Sequence, residues 1–413
     1  MGGLPVNAET NVSKMGLLMS KTVWNNFRWE FAAAIFISVI SVVLGQFFIP
    51  LALRHGASSL DVGILTAAPA IGLLLAPFWA SMIEKGNAKL YMFYPNLIGR
   101  MLIILPLIYP KPWVYVATSL VFHLLMGIQA PAYASIMTRI YPAELRGRIM
   151  GNVRVAMGAL MIPLAYVIGR WIDSSGGGGP LILAAVTGVI SIVLFTMVKE
   201  VAIDNHKVLP TKRATLFDQL KLIKENRKLA LFFVATTFAG FGNLLASPLY
   251  QIIQVQKLEL TNIQIGYARM VYFFCLLAAY LIMGWVIDRY SPKRAMFFGI
   301  AAYAIPPILY GLFGNYAAVI VAGGFQGIGD AIWDIGCMAY VFKLAPGREA
   351  VVFGLHLLLF GIRGTIAPLL STSLIHSVSL NLMLGVAAIC ILIGCLMLLR
   401  GDQTKLLTGT DLS

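Results

Sequence analysis

Runs of about twenty apolar residues alternate with short polar turns along nearly the whole chain. That is the length a helix needs to cross the hydrocarbon core of a bilayer. On this rule the pattern predicts twelve spans, at about 31–53, 60–83, 90–109, 112–137, 149–171, 180–198, 229–252, 263–287, 294–313, 316–342, 350–371 and 378–399. The first run, Phe31 to Leu53, is too long for the apolar segment of a secretory signal, and residues 1–23 are polar. No cleaved leader is therefore expected.

The longest hydrophilic stretch, Lys199 to Lys228, divides the spans six and six. The expected organisation is a tail (1–30), a six-helix bundle (31–198), a basic linker (199–228), a second bundle (229–399) and a short tail (400–413). Within the linker, Leu216-Phe-Asp-Gln-Leu-Lys-Leu-Ile-Lys224 has an amphipathic pattern. It reads either as a helix on the inner membrane surface or as a solvated linker.

Composition agrees with the pattern. Of 413 residues, 59% are hydrophobic and only 12% charged, which describes a multi-pass membrane protein rather than a soluble domain. A formal charge of +14 would suggest nucleic acid in a soluble chain, but here the excess is sorted by loop. The loops on the side of the termini, with the tails, hold 23 of the 31 Lys and Arg; the opposite loops hold four, Arg54, Lys111, Arg170 and Lys257. That asymmetry predicts both termini in the cytoplasm of a cytoplasmic-membrane protein, with no nucleic-acid partner. The cysteines, Cys275, Cys337, Cys390 and Cys395, lie in apolar runs with no metal spacing and read as small buried hydrophobes. Neither a metal nor a cofactor is expected.

The halves echo each other. Ser59-Leu-Asp-Val-Gly63 resembles Asn262-Ile-Gln-Ile-Gly266 at an offset of 203, and Gly151 and Gly354 repeat at the same offset. Parallel repeats of this kind place a substrate site between the halves near the bilayer midplane.

The most telling loop is Gly284-Trp-Val-Ile-Asp288-Arg289-Tyr-Ser-Pro292-Lys293-Arg294. A turn this short joins antiparallel helices, and its charges read as ties between neighbouring helix ends. The pattern G-x-x-x-D-R-x-x-x-K-R resembles the loop signature of the major facilitator superfamily. A degenerate copy, Ala80-x-x-x-Glu84-Lys85-Gly86-Asn87-Ala88-Lys89, occupies the same place in the first half. The resemblance covers residues 31–399. It implies an all-α membrane protein of twelve transmembrane helices in two pseudo-symmetric six-helix bundles, a transporter and not an enzyme. It assigns Gly284, Asp288, Arg289, Lys293, Arg294, Glu84 and Lys85 to a gating loop.

Two further signatures fit in part. His123-Leu-Leu-Met-Gly127-Ile-Gln129-Ala130 resembles R-x-x-Q-G-x-G-A, with His in place of Arg and Met126 in place of Gln. Gln326-Gly327-Ile-Gly329-Asp330-Ala331 is closer, with Gly323 in place of the basic residue. His123 reads either as a titratable group or as a histidine hydrogen-bonded within the bundle. The antiporter signature G-x-x-x-G-P-x-x-G-G keeps only its proline, as Pro163 and Pro368, which weakens an export assignment.

Independently of any family, ionisable groups at membrane depth are costly and usually face a cavity or a partner. Gln326, Asp330 and Asp334 form a one-face stripe on the tenth span, and His356 and Arg363 lie seven residues apart on the eleventh. At about 1.5 Å per residue, Asp330 and Arg363 lie roughly 20 Å from the cytoplasmic loop. The expectation is Asp330 opposite Arg363 and Asp334 opposite His356, with one carboxyl free to load a proton. Arg100 and Asn96 on the third span, with Gln129, are candidate cavity residues, although Arg100 is as readily read as bonded to a neighbouring carbonyl. Arg154 and Arg269 read as snorkelling side chains.

The reading is a proton-coupled transporter working by alternating access, as a monomer, with a small molecule, protons and lipids as partners. Export of amphipathic or drug-like compounds is favoured. Uptake of a small metabolite, lipid flipping and a non-transporting sensor on the same fold are the alternatives.

Overall fold

The computed structural model describes residues 11–14, 17–85, 87–200, 226–289, 292–344 and 349–400. Among these, the chain forms twelve helical units. They are α1 (Lys21–Arg54), α2 (Ser59–Leu74, resumed as Ala76–Lys85), α3 (Ala88–Ile108), α4 (Pro112–Ile140), α5 (Ala143–Ser175) and α6 (Gly178–Thr196), then α7 (Arg227–Lys257), α8 (Asn262–Arg289), α9 (Pro292–Leu312), α10 (Tyr316–Leu344), α11 (Glu349–Ser373) and α12 (Leu380–Arg400). Eleven contain a stretch long and apolar enough to cross a membrane; α2 falls short because it breaks at Leu75. Pro77 follows the break and cannot donate the backbone bond that would carry the helix through.

Local chemistry sets the starts. Ser20 caps α1 by accepting from the Val23 N–H at 3.3 Å, so the helix begins ten residues before the apolar run. Hydrophobicity alone had assigned Asn25, Asn26, Arg28 and Glu30 to a tail. Ser58 and Asp61 form a reciprocal capping box on α2, and Asn226 caps α7. A small antiparallel hairpin, Asn11–Lys14 with Leu17–Ser20, precedes α1 and was not expected from the sequence. The amphipathic stretch Leu216–Lys224 and the tail beyond Arg400 lie outside the described residues.

The first six helices and the last six repeat one construction. Asn26 on α1 donates to the Ile140 carbonyl at the end of α4; Asn226, at the start of α7, donates to the Leu344 carbonyl at the end of α10. Both bonds lie at the end of the bundle where α1 begins and α12 finishes, called the terminal end below.

At the opposite, far end the two halves are packed together. The pairs are α2 with α11 and α5 with α8, brought close by small residues as membrane helices commonly are. A Cβ on Gly169 would run into the Asn262 carbonyl oxygen, and one on Gly266 would sit 2.6 Å from that of Ala165. Polar ties reinforce this closure. Arg54 donates to the Leu260 carbonyl at 2.6 Å and to Asn262 Oδ1 at 3.3 Å. Asp173 accepts from the first two backbone N–H groups of α8 at 2.9 and 2.7 Å. One apolar cluster accordingly spans both halves there. At the terminal end the core splits into one cluster within residues 19–198 and two within 229–398. Gly147, Gly151 and Gly354 have open space around them. The molecule is closed at the far end and parted at the terminal end.

Candidate functional site

The tenth span was singled out for its acids, and α10 carries them to the wall of a cavity of about 350 Å³ in the second half. The cavity is bounded by α7, α8, α10 and α11, with Tyr303 reaching in from α9. Asp330 is held from two sides: the Tyr272 hydroxyl donates to Oδ2 at 2.7 Å and the Tyr303 hydroxyl to Oδ1 at 2.6 Å. Gln326, one turn earlier, adds a longer bond at 3.4 Å and also donates to Asn243 at 3.3 Å. Asp334 accepts from Tyr280 at 2.6 Å and is exposed to the opening. Hydrogen bonds to an ionised acceptor are roughly twice as strong as neutral ones, which suits carboxylates kept in apolar surroundings.

Neither expected pair forms. Arg363 is buried, at 3% exposure, and donates to the Thr236 carbonyl at 3.0 Å. Its guanidinium lies 5.5 Å from the Trp333 ring centre and 5.8 Å from that of Phe360, a cation–π arrangement. Among the described residues no ion pair joins it to Asp330 or Asp334. The cause is the aromatic lining, because tyrosines from α8 and α9 reach the acids first. Trp333, between the two acids in sequence, interposes its ring on the α11 side. Gly240 makes room for the arginine; a Cβ there would meet its Nε at 2.6 Å. His356 is also buried, with Cys337 Sγ at 3.5 Å and the Phe232 and Trp333 rings at 6.3 and 6.0 Å. It is not among the residues that line the cavity with Asp334.

The remaining candidates lie elsewhere. Arg100, 2% exposed, donates to the Gly188 carbonyl at 2.5 Å, and Asn96 donates to the Met92 carbonyl at 2.7 Å. Gln129 and Arg100 line a second cavity, about 230 Å³, wholly within the first half. His123 sits edge-on to Phe122 on α4. In the loop signature Lys293 donates to the Leu399 carbonyl at 3.3 Å, while Arg289 and Arg294 are exposed at helix ends. Gly284 and Asp288 lie on α8, and Glu84 and Lys85 on the second piece of α2. The side-chain placements of those three charged residues are outside the described part.

Several residues escaped the sequence reading. The spacing of eight between Tyr272 and Tyr280 puts both on one face of α8, a periodicity that was legible. Tyr303, which reaches in from α9, gives no such signal. In the first half, Glu30 is 3% exposed and accepts from Tyr133 at 2.6 Å and Tyr141 at 2.5 Å. It was read as part of the tail. Arg154 lines the same cavity as Glu30, and Arg269 lines a small one beside Tyr310.

Two helical halves, closed at one end and lined by charged and aromatic groups at the other, define a multi-pass membrane protein of the secondary-transporter class. The chain belongs to the Major Facilitator Superfamily, whose model matches residues 30–256 and 232–409. Members of that family are transporters of small molecules and not enzymes. The chain is similar to the chloramphenicol resistance protein CraA of Acinetobacter baumannii, 27% identical over 147 residues. That match covers 30% of this chain and only 36% of the relative. Its fold matches crystal structures of the nucleoside transporter NupG. For a point mutant of that transporter the TM-score is 0.74 at 11% identity, over 92% of this chain and all of that one. For the other NupG structure the TM-score is 0.69, again at 11% identity, over 94% of this chain and all of that one.

Proposed function

We propose that this transporter is proton-coupled and exports small amphipathic or drug-like compounds, with the second-half cavity as the coupling and binding site. The carrying observation is the unequal setting of two acids one turn apart. Asp330 is fastened by two tyrosines at the cavity wall, whereas Asp334 has one tyrosine and faces the opening. Asp330 thus serves as a fixed anchor and Asp334 as the exchangeable proton carrier. Arg363, stacked on Trp333, supplies a fixed positive charge beside them. Aromatic walls suit a flat or amphipathic guest. Export is supported by the partial similarity to a chloramphenicol resistance protein. The loop asymmetry in Lys and Arg supports a cytoplasmic terminal end, so that the open cavity faces the cell interior.

The test uses purified protein in vesicles, first screened by thermal shift against a metabolite and drug library, since a bound ligand raises the melting temperature. With a ligand in hand, Asp334→Asn is expected to abolish transport driven by a pH gradient while preserving substrate exchange. If that variant accumulates substrate against a gradient as well as wild type, Asp334 is not the carrier.

A further inference from the structure

The first-half cavity holds a carboxylate and a guanidinium that the coupling site does not use. Glu30, on α1, is buried and bonded at both carboxylate oxygens by the hydroxyls of Tyr133 on α4 and Tyr141 just past its end. Hydroxyl-to-carboxylate bonds of this kind are among the stronger hydrogen bonds in proteins, so the side chain is held in place. Arg154, on α5, lines the same cavity but is itself exposed. Among the described residues it makes no ion pair within 4 Å.

Its place along α5 matters. One turn toward the far end, Gly158 is in contact range of α8: a Cβ there would lie 3.5 Å from Leu277 Cδ1, an ordinary van der Waals distance. Tyr280 follows Leu277 by three residues in the direction of the terminal end. Arg154 and Tyr280 therefore flank the mouth just where the halves begin to part, and Tyr280 is the residue that holds Asp334. Arg154 shares its cavity with Glu30, and across the mouth Tyr280 holds Asp334 at 2.6 Å. The titratable groups of its own cavity are Glu30 on α1, Arg100 on α3 and Tyr133 on α4, and the cavity across the mouth is lined by Tyr272 and Tyr280 on α8 and Asp330 and Asp334 on α10. Of the three acids, Asp330 lies one turn farther from the terminal end than Asp334, away from the mouth. Glu30, in the same cavity, and Asp334, on Tyr280 across the mouth, remain.

We propose that Arg154 is a positioning cation of the transport cycle. It rests beside Glu30 while the terminal end is open, and it pairs with Asp334 across the two halves when that end closes. A proton on Asp334 removes the charge that Arg154 would meet, so an occupied carrier leaves the terminal end open and an empty one lets it shut. Glu30 competes for the same cation and holds it on the first half. This rests on Asp334 being the proton carrier, and the test separates the two ideas.

The experiment measures spin-label distances between positions 138 and 343, exposed at the terminal ends of α4 and α10. Labels are carried on non-natural residues, so the four cysteines remain, with the full chain in lipid nanodiscs at pH 6 and pH 8. In wild type the short-distance population is expected to grow with pH as Asp334 loses its proton. Arg154→Gln should lower the closed-to-open ratio at pH 8 by about fivefold, the upper end for a partly exposed ion pair, and remove the pH response. Arg154→Lys should keep that response. Glu30→Gln should act in the opposite sense, releasing Arg154 and raising the closed fraction, an outcome that mere loss of packing does not produce. If Arg154→Gln still responds to pH while Asp334→Asn does not, Arg154 has no such role and the carrier assignment stands. If Asp334→Asn also responds, or wild type does not, both ideas fall.

Discussion

Closure at the far end depends on a helix terminus in one half being satisfied by an acid from the other. Asp173 on α5 accepts the Asn262 N–H at 2.9 Å, the Asn262 side-chain amide at 2.7 Å and the Ile263 N–H at 2.7 Å. These backbone groups are orphan donors at the start of α8, where a negative charge is worth about 0.3–1 kcal/mol at an exposed surface. Adding the side-chain bond, which nets about 0.5–1.5 kcal/mol, and discounting for exposure gives about 1–2 kcal/mol for the contact. If it exists only in the state closed at the far end, Asp173→Ala shifts the equilibrium toward the far-open state by roughly five- to thirtyfold. Asp173→Asn keeps an acceptor and is expected to give the lower part of that range. The assay is maleimide labelling of Ala165→Cys, since Ala165 is fully buried against Gly266 and becomes reachable only when the far end parts. The parent chain, with its native cysteines, supplies the baseline. Asp61→Ala is the control, because that acid serves the start of its own helix through Ser58 rather than a helix of the other half. An unchanged labelling rate in Asp173→Ala, or an equal rise in the control, would refute the reasoning.

Three further outcomes concern two glycines and the charges of the second-half cavity. Gly240→Ala places a Cβ 2.6 Å from Arg363 Nε and is expected to cost about 1–3 kcal/mol, seen as a lowered melting temperature. Gly151→Ala, with nothing within 4 Å, should leave it nearly unchanged. Because Asp330 is bonded to tyrosines and Arg363 to a carbonyl, Asp330→Asn should not strand the arginine. Arg363→Met should then fail to restore the stability of Asp330→Asn, and a recovery in the double variant would revive the ion pair that the sequence had suggested.

Much of the architecture was legible in the chain, because membrane insertion is governed by a property that is local in sequence. Twenty apolar residues make a span whatever they pack against, so the helix count and the six-and-six division follow from hydropathy. A repeated glycine or proline likewise marks a repeated unit. Even there, local capping overrode hydropathy at α1, where Ser20 starts the helix inside what looked like a polar tail, and Glu30 was lost to view. Asp330, Asp334 and Arg363 were recognisable as functional candidates for the same local reason, since each is an expensive residue in an apolar helix. Their partners were not. Depth along two helices can be computed from a rise per residue, but which way each helix is turned depends on every neighbour it packs against. Matched depth suggested Asp330 with Arg363; the actual rotation of α8, α9 and α10 gave the acid to two tyrosines and left the arginine to Trp333 and a backbone carbonyl. The closure of the far end and the parting of the terminal end are relations between bundles roughly two hundred residues apart in sequence. Only tertiary packing decides them, because no local pattern encodes the angle between two rigid bodies.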